Sequence, residues 1–391
     1  MEEKEYYICK DCCKDMYLKN YVQGNLDSLE ICSICYSKKK TLNISNPTLN
    51  EFCRFLIRYH YPEYEYNSHW GGEELPSQFY SENPIISHQF VEDENDKDLR
   101  NEEIDEFLNQ LFDLENWNSK IDLYYGHDVH GRNLWATSIR KEKSAIWDYY
   151  KRQLQIQNYY HLEEGAKKSF STLLENLKFT LKADKVFYRA RIGYTEKVED
   201  VSLGYNTFKI KIPYSGSQLS SPPILKTTAG RANRQGVAFL YLASDEETAL
   251  GEIRPHPGHY VSVGQFKNLE NLLVADLRFI DLVKYYNDKE QLKLFKLLKD
   301  LSEELSIPIL PDEKENYLVT QFISDIIRQI GFDGILFNSS VSNGYNLVAF
   351  DTNKFVNLED QSKLVKINSV NFKYAPIEYE RDGFMDILIE K

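Results

Sequence analysis

The sequence is poor in cysteine, methionine and tryptophan, and it has no long apolar run. Its 391 residues hold six Cys, three Met and four Trp, and six thiols are too few to staple a chain of this length. Apolar runs such as Val237 to Ala243 fall far short of the roughly 20 residues a membrane helix needs. A soluble protein with no membrane association is therefore expected. Basic residues are outnumbered, 47 Lys plus Arg against 60 Asp plus Glu, for a formal charge of −13. That balance disfavours a chain built to coat nucleic acid or anionic lipid. The opening MEEKEYYICK is acidic where a secretory signal is basic, and no apolar segment with a cleavage site follows it, so the expected location is cytoplasmic. No GxGxxG and no Walker pattern occurs, which leaves hydride transfer and nucleotide-dependent phosphoryl transfer without support. There is no internal repeat. What the chain does have is 28 Tyr, 21 Phe and 42% hydrophobic residues, enough to fold into roughly two to three domains.

The few cysteines are clustered. Five of the six lie in the first 35 residues, as Cys9, Cys12 and Cys13 followed by Cys32 and Cys35. Two residues between paired thiolates let each pair wrap one side of a tetrahedral ion, and a gap of this length suits a small zinc ribbon. The expected ligands of a structural zinc are Cys9, Cys12, Cys32 and Cys35, with Cys13 in place of Cys12 as an alternative and a redox pair as another. Cys53, in an apolar run, reads as a buried thiol.

The stretch from Pro47 to Tyr61 reads as a helix carrying Arg54 and His60. An Arg followed at this spacing by His occurs in the HEPN ribonucleases, but the spacing is common. A solvated arginine and a helix-end histidine are the plainer reading. The acidic run from Glu92 to Glu106 reads as a solvated face or linker, and His127 and His130 as part of a polar turn. Ser144 to Lys182 reads as one or two helices with Gly165 as a break. After Lys182 short apolar runs alternate with turns. Gly236 to Ala243 reads as a strand, followed by a helix capped by Ser244 or Asp245. Apolar residues at helical spacing follow from Leu292 to Leu305 and from Val319 to Ile330, the second closed by Gly331. GILFN and NLVAFD read as strands around the turn Ser339 to Gly344. The expected class is α+β, divided as a zinc-knuckle segment 1–45, a mainly helical region 46–182, a mixed domain 183–365 and a tail 366–391.

In the mixed domain, polar residues stand at the ends of apolar elements: Arg189, Arg191, Arg231, Tyr241, Glu252 and Ser339. Guanidinium forks suit a pyrophosphate, and an aromatic ring stacks on a planar heterocycle. A carboxylate holds ribose hydroxyls or positive charge at an anomeric carbon. Together they are an inventory for cutting a dinucleotide at its glycosidic bond. His256 and His259, in the Pro/Gly loop after the helix, read as loop residues.

FYRAR at 187–191, GRANRQGVAFLYLASDEETALGEIRP at 230–255 and YLVTQFISDIIRQIGFDGILFNSSVSNGYNLVAFD at 317–351 resemble the RES domain, over about residues 180 to 360. The N-terminal half is similar, less specifically, to the HEPN-like segment that accompanies some RES domains. The resemblance implies a fold related to ADP-ribosyltransferase toxins and an enzyme that consumes NAD as substrate. It further implies a toxin or phage-defence effector, with an antitoxin or regulatory partner. By motif, Arg189 and Arg231 would hold the phosphates and ribose, with Arg191 a second candidate on the face of Arg189. Tyr241 would pack on the nicotinamide end, Glu252 would steady the oxocarbenium-like transition state, and Ser339, or else Ser340, would bond the substrate or Glu252. Hydrolysis or phosphorolysis of the nicotinamide–ribose bond is the leading expectation. Transfer of ADP-ribose to a protein, a catalytically silent zinc-containing binding module, and a ribonuclease using Arg54 and His60 are its rivals. The oligomeric state is left open, a homo-oligomer included.

Overall fold

The computed structural model describes residues 4–61, 85–86, 106–112, 138–200, 207–307 and 317–371. Most of the acidic run, together with His127 and His130, lies outside the described residues. Two compact units emerge, neither contiguous in sequence. The first is Met1–Leu177 with Leu277–Ile323, and the second is Lys178–Asp276 with Ser324–Lys391.

The first unit begins with a small antiparallel sheet of β1 (Tyr7–Ile8), β2 (Ser28–Ile31) and β3 (Lys38–Asn43), in the order β1-β3-β2. Helix α1 (Met16–Gly24) starts where the Asp15 carboxylate accepts from the Leu18 N–H at 2.7 Å. Helix α2 (Pro47–His60) has Asn46 as its cap and Pro47 in its first turn, where a missing N–H costs nothing. It is buried on most sides, through Leu49, Phe52, Cys53, Phe55, Leu56 and Ile57, and Phe52 stacks on Tyr21 with centroids 5.4 Å apart. Arg54 is not solvated: it is 5% exposed, and its Nη1 donates to the Phe112 carbonyl at 2.7 Å. His60 does end the helix, with Nε2 2.9 Å from Asp15 Oδ2. Helices α3 (Ala145–Ile156) and α4 (Tyr160–Leu174) follow. The break between them falls at 157–159, and Gly165 lies inside α4 with open space beside it.

The second unit is built on an eight-stranded sheet, in the order β13-β9-β5-β8-β12-β11-β10-β4. Its strands are β4 (Lys178–Leu181), β5 (Val186–Ile192), β8 (Leu240–Ala243), β9 (Tyr260–Asn268), β10 (Leu272–Asp276), β11 (Gly334–Asn338), β12 (Tyr345–Ala349) and β13 (Phe355–Lys366). Strands β6 (Thr195–Asp200) and β7 (Thr207–Ile212) form a separate antiparallel pair. β4 is a correction to the helical reading of residues up to 182: its backbone pairs with β10, Leu181 opposite Leu272. The strand read from Gly236 is also shorter than expected. Gly236 takes φ +81 in a turn, and only Leu240–Ala243 joins the ladder.

Helix α5 (Glu246–Glu252) is capped by Asp245, whose carboxylate accepts from the Thr248 N–H at 2.8 Å. Helix α6 (Lys289–Ser306) belongs to the first unit, and the division of the chain falls inside α7 (Leu318–Gln329). Gly331 follows α7 with φ +105, the left-handed turn that closes a helix.

Alternation gives the sheet two different faces. Phe187, Leu240, Leu242, Phe266, Leu336 and Leu347 form the larger core on one side. On the other, Ala190, Ala243, Val261 and Val263 meet Ala249 of α5. Alanines on both the sheet and the helix let α5 lie close to the strands, which brings its last residue, Glu252, down over β12.

Candidate active site

Glu252 is half-buried, and one of its oxygens collects two donors. Oε1 accepts from the Ser339 hydroxyl at 2.8 Å and from Asn346 Nδ2 at 2.6 Å. Among the described residues no hydrogen bond reaches Oε2. Ser339 is delivered by the β11–β12 hairpin, whose loop is fastened to the start of α5. The Ser244 N–H donates to the Tyr345 carbonyl at 2.8 Å, and the Tyr345 N–H donates to Ser244 Oγ at 3.0 Å. Thr248 Oγ1 lies 3.1 Å from Ser342 Oγ. Gly344 leaves no room for a side chain there: a Cβ would stand 2.1 Å from Thr248 Oγ1 and 2.3 Å from Asp245 Oδ2. Burial acts to raise the Asp245 carboxyl, but bonds from the Ser244 hydroxyl, from the Thr248 N–H and hydroxyl, and from the Glu247 N–H hold it below the ordinary aspartate value.

Arg189 and Tyr241 form a second group. β5 and β8 pair at one position, Tyr188 opposite Ala243. Beyond it Arg189 Nη1 reaches across to the Tyr241 carbonyl at 2.7 Å. The Nε of Arg189 is sealed from solvent with no hydrogen-bond partner. Burial, and then the nearby Arg191, pull this guanidinium down to about 10. The Tyr241 hydroxyl donates to Asn233 Oδ1 at 2.7 Å and accepts from the Ala232 N–H at 3.1 Å. Tyr241 therefore ties down the turn that carries the half-buried Arg231. Gly230 is required in that turn, where a Cβ would sit 2.5 Å from Asn233 Oδ1 and 2.9 Å from the Tyr241 hydroxyl.

The two groups meet through the sheet. Ala243 lies opposite Asn346 and Tyr241 opposite Val348, so Tyr241 and Asn346 are diagonal neighbours on one face, roughly 7–8 Å apart. Tyr188, opposite Ala243, is on that face too. Arg189 and Arg191 share the opposite face with Phe187. Arg191 is exposed and turned elsewhere: its guanidinium donates to the Gln218 carbonyl and lies 5.0 Å over the Tyr214 ring. The structure thus brings Ser339 to Glu252, Arg189 to Tyr241, and the Arg231 turn to the Tyr241 hydroxyl, and it does not bring Arg191 into this set. Ser340 is exposed. His256 and His259 are in the loop, the His256 N–H donating to His259 Nδ1 at 3.1 Å. Asn346 and Tyr188 escaped the sequence reading. The signal for Asn346 was an amide in an otherwise apolar strand, YNLVA.

In the first unit, Cys9, Cys12, Cys32 and Cys35 bring their sulfurs within 4.8 Å of one another. The separations are 3.6 Å for Cys9–Cys12, 3.8 Å for Cys9–Cys35 and 3.7 Å for Cys12–Cys32. Four sulfurs about 2.3 Å from one tetrahedral ion stand about 3.8 Å apart, so the set fits such an ion. The bond to Cys32 and burial push Cys12 up, and the bond to Cys12 pulls Cys32 down to about 4. Cys13 is outside the cluster, its Sγ against the Cys9 carbonyl at 3.6 Å. Cys53 is fully buried.

Residues 207–372 match the model of the RES domain. Arg231, Tyr241, Glu252 and Ser339 fall inside the matched residues, while Arg189 and Arg191 precede them. No curated protein matches the chain. Among solved structures, a chain from the crystal structure of the M. tuberculosis MbcT-MbcA toxin-antitoxin complex is similar at 11% identity, over 51% of this chain and 93% of that chain. Its TM-score is 0.29, below what supports a shared fold. No helix among the described residues is long and apolar enough to cross a membrane.

Proposed function

We propose that the RES domain cleaves the bond between nicotinamide and ribose in NAD, as a toxin or phage-defence effector. The observation that carries this reading is the Glu252 carboxylate, held on one oxygen by Ser339 and Asn346 with no hydrogen bond to the other among the described residues. In the reaction the C1′–N1 bond breaks and its electron pair leaves with neutral nicotinamide, so positive charge develops on the ribose. Glu252 would stabilise that charge and hold the ribose hydroxyls. Arg231 would bind the pyrophosphate, Arg189 would act from the other face of the sheet by holding the Tyr241 carbonyl, and Tyr241 would pack against the nicotinamide end while its hydroxyl keeps the Arg231 turn in place. Water or phosphate then adds at C1′ and loses a proton, giving ADP-ribose or its phosphate. A protein side chain as acceptor would make the same chemistry an ADP-ribosyl transfer.

The four-cysteine cluster would hold a structural zinc, which supplies no open coordination position and acts by folding the first 45 residues. Residues 46–182 would position or restrain the domain at 183–365, with an antitoxin or regulatory protein as partner. The ribonuclease reading finds no support in its two residues, since Arg54 is buried on the Phe112 carbonyl and His60 is held by Asp15.

The test is to incubate the purified full chain with NAD, with and without phosphate, beside Glu252→Ala, and to resolve the products by chromatography and mass spectrometry. Free nicotinamide from the wild type alone is the expected result, and the ribose product names the acceptor. Equal nicotinamide release by the variant would remove the mechanism.

A further inference from the structure

We propose that Asn346 is the positioning residue of this site, fixing the Glu252 carboxylate by its Oε1 so that Oε2 faces the ligand. The inference rests on the reading of Glu252 as the charge-stabilising group.

Asn346 stands in the middle of the sheet. β12 is paired on both sides, and Asn346 lies opposite Ala243 of β8 and Phe337 of β11. Its residue is 7% exposed, a place where an apolar side chain would pack without desolvating an amide. Its Nδ2 donates to Glu252 Oε1 at 2.6 Å. Glu252 needs such a donor because it is the last residue of α5, where the negative end of the helix disfavours a carboxylate.

The two donors on Oε1 differ in kind. Ser339 comes from a hairpin loop, and its hydroxyl also accepts from the Val341 N–H at 3.2 Å. It can turn toward a bound ligand. Asn346 comes from a strand with neighbours on both sides and has no such freedom. With Oε1 occupied by the strand residue, the carboxylate plane is set before any ligand arrives, which is the preorganisation that a developing positive charge rewards. Asn346 touches no reacting atom and acts through Glu252.

The test uses the full chain with Asn346→Asp and Asn346→Ala. Asn346→Asp keeps the shape and places two carboxyl groups where one donor bond was, so they share a proton. Nicotinamide release from NAD should fall in kcat between about 10- and 100-fold in both variants, with KM changed less. In Asn346→Asp the acid limb of the pH–rate profile should also move upward by about one unit or more. A kcat within twofold of wild type together with an unmoved acid limb overturns the proposal. A second readout does not depend on turnover: the carbon-13 signal of the Glu252 carboxyl, assigned by its loss in Glu252→Gln. It should move in Asn346→Ala, and an unmoved signal overturns the proposal. A wild-type chain that releases no nicotinamide rejects the NAD reading, and the carboxyl signal then decides the role of Asn346 alone.

Discussion

The Ser339 hydroxyl donates to Glu252 Oε1 at 2.8 Å across 87 positions of sequence. Nothing local joins them. Ser339 is the first residue of the loop after β11 and Glu252 ends a helix, and they meet because the rest of that hairpin loop is bonded to the first turn of α5 while the alanine-lined face of the sheet holds that helix close.

Gly344→Ala should break this arrangement. Its Cβ would stand within 2.5 Å of Ser244 Oγ, Asp245 Oδ2 and Thr248 Oγ1, so the loop must lift off the helix start. The expected cost is about 1–3 kcal/mol in chemical denaturation, with loss of nicotinamide release beyond what stability explains. A variant with unchanged denaturation midpoint and activity would contradict the docking of the loop.

Tyr241→Phe removes one hydroxyl and strands two groups, the Asn233 side-chain Oδ1 and the Ala232 N–H. The expected destabilisation is about 1–3 kcal/mol. Because the turn it releases carries Arg231, KM for NAD should rise more than kcat falls. Kinetics of the purified variant measure the split.

Metal analysis should give about one zinc per chain. Cys32→Ser should lose it and Cys13→Ser should keep it, since only the first contributes a sulfur to the cluster. Equal zinc in both variants would place the site elsewhere.

Asp245 gives a pH dependence with a definite sign. Its folded-state carboxyl is held below the ordinary value, against the push of burial, by the hydroxyls and N–H groups that donate to it. The stability it contributes is therefore present above the unfolded aspartate value near 4 and is lost as pH falls through the lower folded value. Asp245→Asn keeps a helix cap but cannot titrate, so its stability should vary less than that of the wild type on acidification below about pH 4. Denaturation at a series of acidic pH values checks this, and parallel curves for the two proteins would rule it out.

Much of the fold is legible in the sequence, wherever the signal is local. The periodicity from Val319 to Ile330, the stop at Gly331, the cap at Asp245 and the strands GILFN and NLVAFD all appear in the structure. The misses have a common cause. Lys178–Leu181 looks like the tail of a helix until β10 offers it a ladder, and Arg54 looks solvated until Phe112, 58 positions away, offers its carbonyl. In the site, Glu252, Tyr241 and Arg231 stand in a motif dense enough to read, whereas Asn346 shows only as one polar residue in an apolar strand.

The α+β class, the cysteine spacing that can enclose an ion and the RES motif are all written in the order of residues, because each depends on residues close together along the chain. It took the folded chain to settle that Cys12 and not Cys13 joins the cluster and that Ser339 and not Ser340 reaches Glu252. It alone turned Arg191 toward Tyr214 and placed Asn346 under Glu252. Those outcomes depend on strand register and on which face a side chain takes, and a shift of one residue in pairing reverses the face.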